Sequence, residues 1–167
     1  IENGLIKNHS AGHISNGEAS ELIKFLDVEM GSDIVKFYVG VSYRHLLVMK
    51  GGNKNLICTP PHDVPGTPFK DVLIKASDCD AQSTATILNK LILRSQELLA
   101  DHPVNLKRIA EGKDPANSIW PWSPGYKPIM KTLIQQYPHL LSGSVISAVD
   151  LIKGIGIYAG LESIDVE

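Results

Sequence analysis

Four prolines within ten residues restrict the fold of this chain more than any other feature. Residues 59–68 read TPPHDVPGTP. Proline fixes φ near −65°, lacks a backbone N–H donor and biases the preceding residue towards extended backbone. The segment can therefore be neither a helix nor a central strand, and we predict a stiff loop with His62 and Asp63 at its middle. Such a loop either positions these two side chains for binding or is simply a rigid connection.

The charge and the cysteines exclude several kinds of partner. The chain has 167 residues, of which 43% are hydrophobic and 20% charged, as expected for a globular domain with a substantial core. Its net charge of −2 gives no general attraction for nucleic acid or for an anionic membrane, and no apolar run reaches the ~20 residues of a membrane span. We expect neither partner. Cys58 and Cys79 form no disulfide or zinc pattern, which favours a reducing, cytoplasmic compartment.

Apolar periodicity and turn residues predict five helices and six strands. The predicted helices cover residues 17–31, 78–100, 104–112, 129–138 and 148–160. The predicted strands cover residues 33–43, 44–52, 69–77, 142–147 and 161–166, with a further strand running into a turn in residues 4–15. Ser15 or Asn16 should cap the first helix, with Glu18 completing a capping box. Asp78 or Asp80 should cap the longest helix. Its buried stripe is expected to contain Ile87, Leu88, Leu91, Ile92, Leu98 and Leu99.

This order predicts an α+β fold. Strands occur both in a run and alternating with helices, so we expect a mixed β-sheet with helices packed mainly on one face, in a two-layer sandwich. No repeat and no dividing linker is apparent, and residues 1–167 are expected to form one domain. Because the chain starts at Ile1 and ends on a strand-like segment, we expect it to be a domain cut from a longer protein.

Three arginines and two histidine positions are the first candidates for binding. Arg44, Arg94 and Arg108 are the only arginines, and a guanidinium is suited to bidentate contact with phosphate or carboxylate. Arg44 lies between two strand-like runs, where it is either a solvated hairpin residue or an anion ligand. His9 and His13 have a spacing that would suit one metal on a helix, but Gly12 argues against a helix and favours a polar turn.

Two further segments have alternative interpretations. GIGIYAG carries Gly154, Gly156 and Gly160, but its spacing and position differ from a dinucleotide-binding fingerprint, so close packing and a helix stop are favoured. Trp120 and Trp122 would face the same side of an extended chain, and we favour a core role for at least one of them over two cleft-lining roles. No serine–histidine–acid order, paired-carboxylate site or P-loop is present, so we predict no catalytic residue in this chain.

Several blocks occur together in an order that resembles one family. They are NHSAGHIS, YRHLLVMKGG, PPHDVPG, HPVN, AEGKDPANSIWPWSPGYKP and SGSVISAVDLIKGIGIYAGL. The chain resembles the archaeal-type 2,3-bisphosphoglycerate-independent phosphoglycerate mutases over nearly its whole length, and the last two blocks are the most specific. The WPWSPG variant is similar to a bacterial branch that has also been described as proposed homoserine kinases.

The resemblance implies a place within a larger metalloenzyme of the alkaline-phosphatase superfamily. In that family, two divalent metal ions such as manganese and a nucleophilic serine lie in a doubly wound α/β domain, and an inserted domain closes over the substrate. This chain corresponds to the insert. Its expected partners are a phosphorylated small-molecule substrate and the catalytic α/β domain of the same polypeptide, and no cofactor is expected within residues 1–167.

The same resemblance implies a set of substrate-binding residues. They are Arg44, His62, Asp63, Asn105, Arg108 and Asn117. The family often has arginine where this chain has His9 and His13, so phosphate binding by the first loop is not implied.

Three functions remain open at this point. The chain is the lid of a phosphoglycerate mutase that interconverts 3-phosphoglycerate and 2-phosphoglycerate, the lid of a related phosphotransferase acting on another hydroxy acid such as homoserine, or a non-catalytic binding module.

Overall fold

The structure, a computed structural model, describes residues 1–166 and divides into two compact units, Ile1–Gly125 and Tyr126–Glu167. The boundary lies between Gly125 and Tyr126, directly after the WPWSPG motif. One domain over residues 1–167 was expected because the sequence shows no dividing linker, and this expectation stays a prediction.

The first unit contains three α-helices and four strands. The helices are α1 (Asn16–Met30), α2 (Gln82–Ala100) and α3 (Pro103–Ala110). The strands are β1 (Val35–Tyr38), β2 (Leu46–Met49), β3 (Leu56–Ile57) and β4 (Lys75–Ala76). Short 3₁₀ helices cover Phe69–Val72 and Cys79–Ala81. The second unit contains α4 (Leu133–Gln136), β5 (Ser144–Val145), α5 (Asp150–Tyr158) and β6 (Glu162–Ser163).

The predicted caps of the first helix are confirmed. The Ser15 hydroxyl accepts a hydrogen bond from the Glu18 N–H, and the Glu18 carboxylate accepts one from the Ser15 N–H, which completes the capping box. The helix ends at Gly31, whose N–H donates to the Asp27 carbonyl at 2.9 Å. A Cβ at Gly31 would lie 2.1 Å from that oxygen, so a larger residue would not fit without movement.

Two apolar clusters form the core of the first unit. In one, Leu22 and Leu26 of α1 pack with Val35 and Phe37 of β1. In the other, α2 packs against the segment around Ile74. Three residues of the predicted α2 stripe, Leu88, Ile92 and Leu99, are buried, and the other three are half-buried. Thr84, Ala85 and Ser95 complete the buried face, and their small or polar side chains gave no signal in the apolar pattern.

The α+β class is confirmed, but the sheet arrangement differs from the prediction. Within residues 1–166, the strands form three separate two-stranded sheets, β1–β2 and β3–β4 antiparallel and β5–β6 parallel, instead of one mixed sheet. The predicted strand 69–77 begins as a 3₁₀ helix. The Asn89 side chain bonds both the N–H and the carbonyl of Ile74, at 3.0 and 2.8 Å, and thereby occupies backbone groups that a further strand would need.

Glycines determine how the second unit is packed. A Cβ at Gly156 of α5 would lie 2.4 Å from Val145 Cγ1, so this glycine allows the helix to approach β5 closely. Gly160 has φ of 80° just after the helix, where a left-handed residue ends it. The interpretation of GIGIYAG as close packing followed by a helix stop is thus confirmed.

Candidate anion-binding site

Four aromatic side chains from four separate segments form one cluster in the first unit. His9 contacts Tyr43 with ring centroids 5.1 Å apart and His62 with centroids 5.6 Å apart. His62 in turn contacts Trp122 at 5.4 Å, again edge to face. We call His9, Tyr43, His62 and Trp122 the aromatic cluster. Its members lie up to 113 residues apart in sequence, so that only the tertiary fold brings them together.

The first loop positions His9 with an unusual backbone. Ala11, Gly12 and His13 have φ of 48°, 63° and 58°, three successive left-handed residues of which two carry side chains. Such conformations cost free energy in non-glycine residues and occur mostly where the surroundings hold them. Here Ser10 is buried and donates both its N–H and its hydroxyl to Asn8 Oδ1, each at 2.9 Å. These hydrogen bonds within the loop hold it in this conformation.

The β1–β2 turn positions Tyr43 and Arg44. Ser42, with φ of 55°, donates its N–H to Asn16 Oδ1 at 2.7 Å and its hydroxyl to the Ile14 carbonyl at 3.0 Å. These bonds tie the turn to the start of α1. His45 accepts from the Gly40 N–H at 3.1 Å through Nδ1, and burial lowers the pKa of its imidazole.

The proline loop is anchored at its end to the N-terminal segment. The Ile6 N–H donates to the Thr67 carbonyl at 2.9 Å, and the Gly66 N–H donates to the Ile6 carbonyl at 2.7 Å. A turn at its middle is closed by the Asp63 N–H, which donates to the Pro60 carbonyl at 3.1 Å. The predicted stiff loop is thus confirmed, since proline restricts the backbone and these bonds fix both the middle and the end.

The two tryptophans hold the same loop at two further points. Trp120 packs on the second core cluster, and its indole N–H donates to the Thr59 carbonyl at 2.9 Å. This confirms a core role for one tryptophan. Trp122 is 48% exposed and contacts His62, so it forms part of the site surface instead. The two side chains of the WPW motif thus have different functions.

Arg44 supplies a positive charge beside the aromatic cluster. Its guanidinium lies over the Tyr43 ring, 4.7 Å from the centroid, and Nη2 donates to the Tyr43 hydroxyl at 3.1 Å. The side chain is exposed, and among residues 1–166 no carboxylate forms a salt bridge with it. Its remaining N–H groups are thus available to an anion.

His62 and Asp63 also lie at this site. His62 Nε2 is 3.6 Å from Asp63 Oδ1, and both side chains are about half exposed. The structure therefore brings three of the six predicted residues, Arg44, His62 and Asp63, to one region through the contacts of Tyr43 and His9.

Asn105, by contrast, is buried in a structural hydrogen-bond network. It is fully buried, donates to the carbonyls of Leu99 and Ala116 at 2.8 and 3.0 Å, and accepts from the Ala116 N–H at 2.8 Å. These bonds join the end of α2 to the segment after α3. Its side-chain oxygen and nitrogen are occupied within the protein, and a substrate contact stays a prediction that this geometry does not support.

Arg108 is buried as well and lies at the centre of a second hydrogen-bond network. It is 2% exposed, with Nε donating to the Asp114 carbonyl at 2.8 Å, Nη1 to Glu18 Oε2 at 2.9 Å and Nη2 to the Ala11 carbonyl. Hydrogen bonds from Ser15, assisted by Arg108, lower the pKa of Glu18 to about 2. Arg108 thus holds the strained first loop, and its predicted contact with substrate has no support in this arrangement.

Asn117 forms hydrogen bonds with the N-terminal residue Ile1. Its Nδ2 donates to the Ile1 carbonyl at 2.7 Å, and it lines a groove with Lys7 and Asp114, which form a salt bridge at 3.0 Å. Within residues 1–166, no hydrogen bond, salt bridge or ring contact joins it to Arg44 or His62, so its predicted role in binding stays a prediction.

The roles of Tyr43 in the site were missed from the sequence, and those of His9 and Trp122 were assigned only as alternatives. The only sequence indication of these roles is in the YRH and WPW motifs, where an aromatic residue is adjacent to a charged residue or to proline. These motifs do not show which residues the aromatic side chains contact, because the contacts are between residues far apart in sequence.

A metal centre is not suggested by the described residues. Residues 1–166 contain no group of three His, Cys, Asp or Glu side chains arranged to hold a metal ion.

The same part of the chain has no helix that combines the length and the apolar character needed to cross a membrane.

Comparison with known proteins identifies the family. A family model described as 2,3-bisphosphoglycerate-independent phosphoglycerate mutase matches residues 1–105. The chain belongs to this family. The matched residues form well over half of the chain and include Arg44, His62 and Asp63, so the resemblance predicted from the sequence blocks is confirmed.

Individual relatives of the mutase family extend the match to almost the whole chain. A 2,3-bisphosphoglycerate-independent phosphoglycerate mutase of Methanosarcina acetivorans is 52% identical over 169 residues, which is 99% of this chain and 40% of the relative. A probable mutase of the same description from Geobacter sulfurreducens is 42% identical, covering 98% of this chain and 39% of the relative. The chain therefore spans about two fifths of the length of the curated relatives it matches.

A solved structure is similar in fold. The cofactor-independent phosphoglycerate mutase from Thermoplasma acidophilum superposes with a TM-score of 0.67 at 24% identity, over 99% of this chain and 45% of that chain. At this identity the likeness supports the fold alone.

Proposed function

We propose that this chain contains the substrate-closing part of a cytoplasmic, metal-dependent phosphoglycerate mutase that interconverts 3-phosphoglycerate and 2-phosphoglycerate. The observation that carries the proposal is the exposed Arg44 guanidinium, which lacks a carboxylate partner among residues 1–166 and lies beside two histidines on rigid loops. Family membership supplies the class of substrate.

In this proposal Arg44 binds the phosphate or carboxylate of the substrate. A planar guanidinium can donate two parallel N–H bonds to such a group, and Tyr43 fixes its orientation through the ring and the hydroxyl. His62 donates a further bond from a ring N–H, and the Asp63 carboxylate, 3.6 Å from Nε2, lies close enough to orient the ring. Rigid loops lower the ordering cost of binding, which accounts for the prolines.

The metal ions and the nucleophile of the proposed reaction are assigned to polypeptide outside this chain. The described residues offer no fitting group of ligands, so we derive no metal-dependent step from them. The chain's own contribution is to bind and orient the substrate anion, and to exclude water when the lid closes.

A related reaction on homoserine is the second candidate, and the WPWSPG motif favours it. Trp122 of this motif contacts His62, so the part of the sequence that carries this resemblance lies at the proposed site. The two functions differ in the acceptor, since one transfers the phosphoryl group between hydroxyls of glycerate and the other to the hydroxyl of an amino acid.

The test uses the full-length protein that carries this chain. A charge-assisted contact of Arg44 is worth roughly 1.5–3 kcal/mol, so Arg44→Ala should lower kcat/KM for 3-phosphoglycerate by about ten- to a hundredfold. Arg44→Lys should recover only part of the loss because an ammonium is not bidentate. Arg94→Ala is the matched control, since Arg94 forms a salt bridge with Glu97 on α2 at 2.6 Å.

Three results would contradict the proposal in distinguishable ways. Activity of Arg44→Ala within twofold of the parent would make Arg44 a solvated hairpin residue. Phosphorylation of homoserine with a nucleoside triphosphate, without mutase activity, would establish the second function. Absence of both reactions in the metal-loaded full-length protein would favour a binding module.

A further inference from the structure

The turn between β1 and β2 holds the backbone of Arg44 from two directions. The Arg44 N–H donates to the Val41 carbonyl at 3.0 Å. The Arg44 carbonyl lies against Gly40, since a Cβ built on Gly40 would be only 2.3 Å from that oxygen. A contact this close is possible only for glycine. The position of the Arg44 side chain therefore depends on whether Gly40 stays against the Arg44 backbone.

One side chain, that of His45, keeps Gly40 in this place. Its Nδ1 accepts a hydrogen bond from the Gly40 N–H at 3.1 Å, which closes the turn over residues 40–45. The bond requires a lone pair on Nδ1, so the imidazole must be neutral and carry its proton on Nε2. An imidazole protonated on both nitrogens has only donors and cannot accept from Gly40.

The surroundings of His45 favour the neutral form. Burial lowers the pKa of its imidazole, and a hydrogen bond with the Ser42 backbone acts in the opposite direction. The turn, the first loop, the start of α1 and the aromatic cluster carry other titratable or charged groups, namely His9, His13, Glu18, Arg44 and His62. Among the described residues, none of these groups shifts the pKa of His45. The imidazole is thus neutral at pH 7 and becomes charged only below its ordinary pKa of 6.5.

We propose that His45 is the positioning residue of Arg44. Its neutral imidazole accepts the Gly40 N–H, keeps Gly40 against the Arg44 carbonyl and thereby fixes the place from which the guanidinium reaches an anion. Protonation of Nδ1 sets two donors against each other, so the turn opens and Arg44 loses its fixed position. His45 acts only through Arg44, and the inference therefore rests on the proposed function of Arg44.

Two variants of the full-length protein separate the acceptor from the rest of the ring. In His45→Asn the side-chain oxygen takes the place of Nδ1 and accepts at every pH, whereas His45→Leu has no acceptor. Near pH 7.5, we expect His45→Leu to lower kcat/KM for 3-phosphoglycerate by about two- to tenfold, as for the loss of one hydrogen bond. His45→Asn should stay within about twofold of the parent. His139→Asn is the control, because His139 is an exposed histidine of the second unit.

The pH profile distinguishes positioning from a merely structural role. The ratio of kcat/KM of His45→Asn to that of the parent isolates His45, because all other titrating groups are the same in both proteins. This ratio should be near one at about pH 7.5 and should rise as the pH falls below about 6.5, since only the parent loses its acceptor. The ratio for His139→Asn should not change. A ratio for His45→Asn that is constant with pH would overturn the proposal.

A double variant tests whether His45 acts through Arg44. If it does, Arg44→Ala combined with His45→Leu should be no less active than Arg44→Ala alone, because the residue to be positioned is already absent. A further loss of the size seen for His45→Leu alone would show that His45 acts independently of Arg44.

Hydrogen exchange of the full-length protein keeps this inference separate from the proposed function. The protection of the Gly40 amide, corrected for the intrinsic exchange rate at each pH, should fall below about pH 6.5 in the parent and stay constant in His45→Asn. Protection in the parent that does not respond to pH would refute the closing of the turn by His45, whatever the activity of Arg44→Ala. Protection that does respond, in a protein whose Arg44→Ala variant is fully active, would support the closed turn and overturn only the proposed function of Arg44.

Discussion

The pair formed by the half-buried Glu18 and the buried Arg108 should make stability depend on pH in a defined range. Ser15 and Arg108 lower the pKa of Glu18 from its ordinary value of 4.5 to about 2. Because the pKa is depressed in the folded state, the charged carboxylate stabilises the fold above about pH 4.5, and this contribution is lost as the pH falls towards 2. The variant that isolates the effect is Glu18→Gln, which is neutral at every pH.

The size of the effect follows from the size of the shift. A difference of about two and a half pKa units corresponds to about 3 kcal/mol at roughly 1.4 kcal/mol per unit. The Glu18 side chain is 27% exposed, so water screens part of the interaction, and we expect about 2–3 kcal/mol. Arg108 is 2% exposed, so loss of its partner leaves a buried charge unpaired, which places the effect towards the upper end.

The measurement is urea unfolding of the chain and of Glu18→Gln, followed by circular dichroism between about pH 7 and pH 2.5. The difference in the free energy of unfolding should be about 2–3 kcal/mol at neutral pH and should fall below about 1 kcal/mol at pH 2.5, where Glu18 is protonated in the unfolded chain but still partly charged in the folded chain, in which its pKa is about 2. Glu21→Gln, an exposed change on the same helix, should stay within about 0.5 kcal/mol of the parent throughout. A difference between the parent and Glu18→Gln that is constant with pH would refute the reasoning.

Two further predictions concern the candidate site and the second unit. Tyr43→Phe removes the acceptor for Arg44 Nη2 and keeps the ring, so kcat/KM of the full-length protein should fall about two- to tenfold in steady-state assays; no change would mean that the ring alone positions Arg44. Gly156→Ala places a methyl 2.4 Å from Val145 Cγ1 and should cost about 1–3 kcal/mol in urea unfolding of the chain. Gly154→Ala, which meets nothing within 4 Å, should instead gain about 0.5–1 kcal/mol, and equal effects of the two changes would contradict the close packing of Gly156 on β5.

The parts of the fold that the sequence predicted correctly are those determined by local interactions. The cap of α1 depends on Ser15 and Glu18, three residues apart, and the helix stop depends on Gly31 next to Asp27. The stiffness of the proline loop is likewise a property of its own residues. Short-range patterns of this kind act within one or two turns of chain, so they can be identified without knowing the tertiary structure.

The parts that were not predicted depend on long-range contacts. Arg108 was assigned to substrate because of its chemistry, but it pairs with Glu18, 90 residues away, and holds Ala11, 97 residues away. Neither partner could be identified from spacing. The separate sheets have the same origin, because Asn89 on α2 bonds the backbone of Ile74 in place of a strand.

The contact between His62 and Trp122 also gives the protein an intrinsic fluorescent probe of its candidate site. Trp122 is 48% exposed and its ring lies 5.4 Å from that of His62, whereas Trp120 donates to the Thr59 carbonyl and packs on the core. An anion bound between His62 and Arg44 would replace water beside the Trp122 indole and would thereby change its emission without any added label.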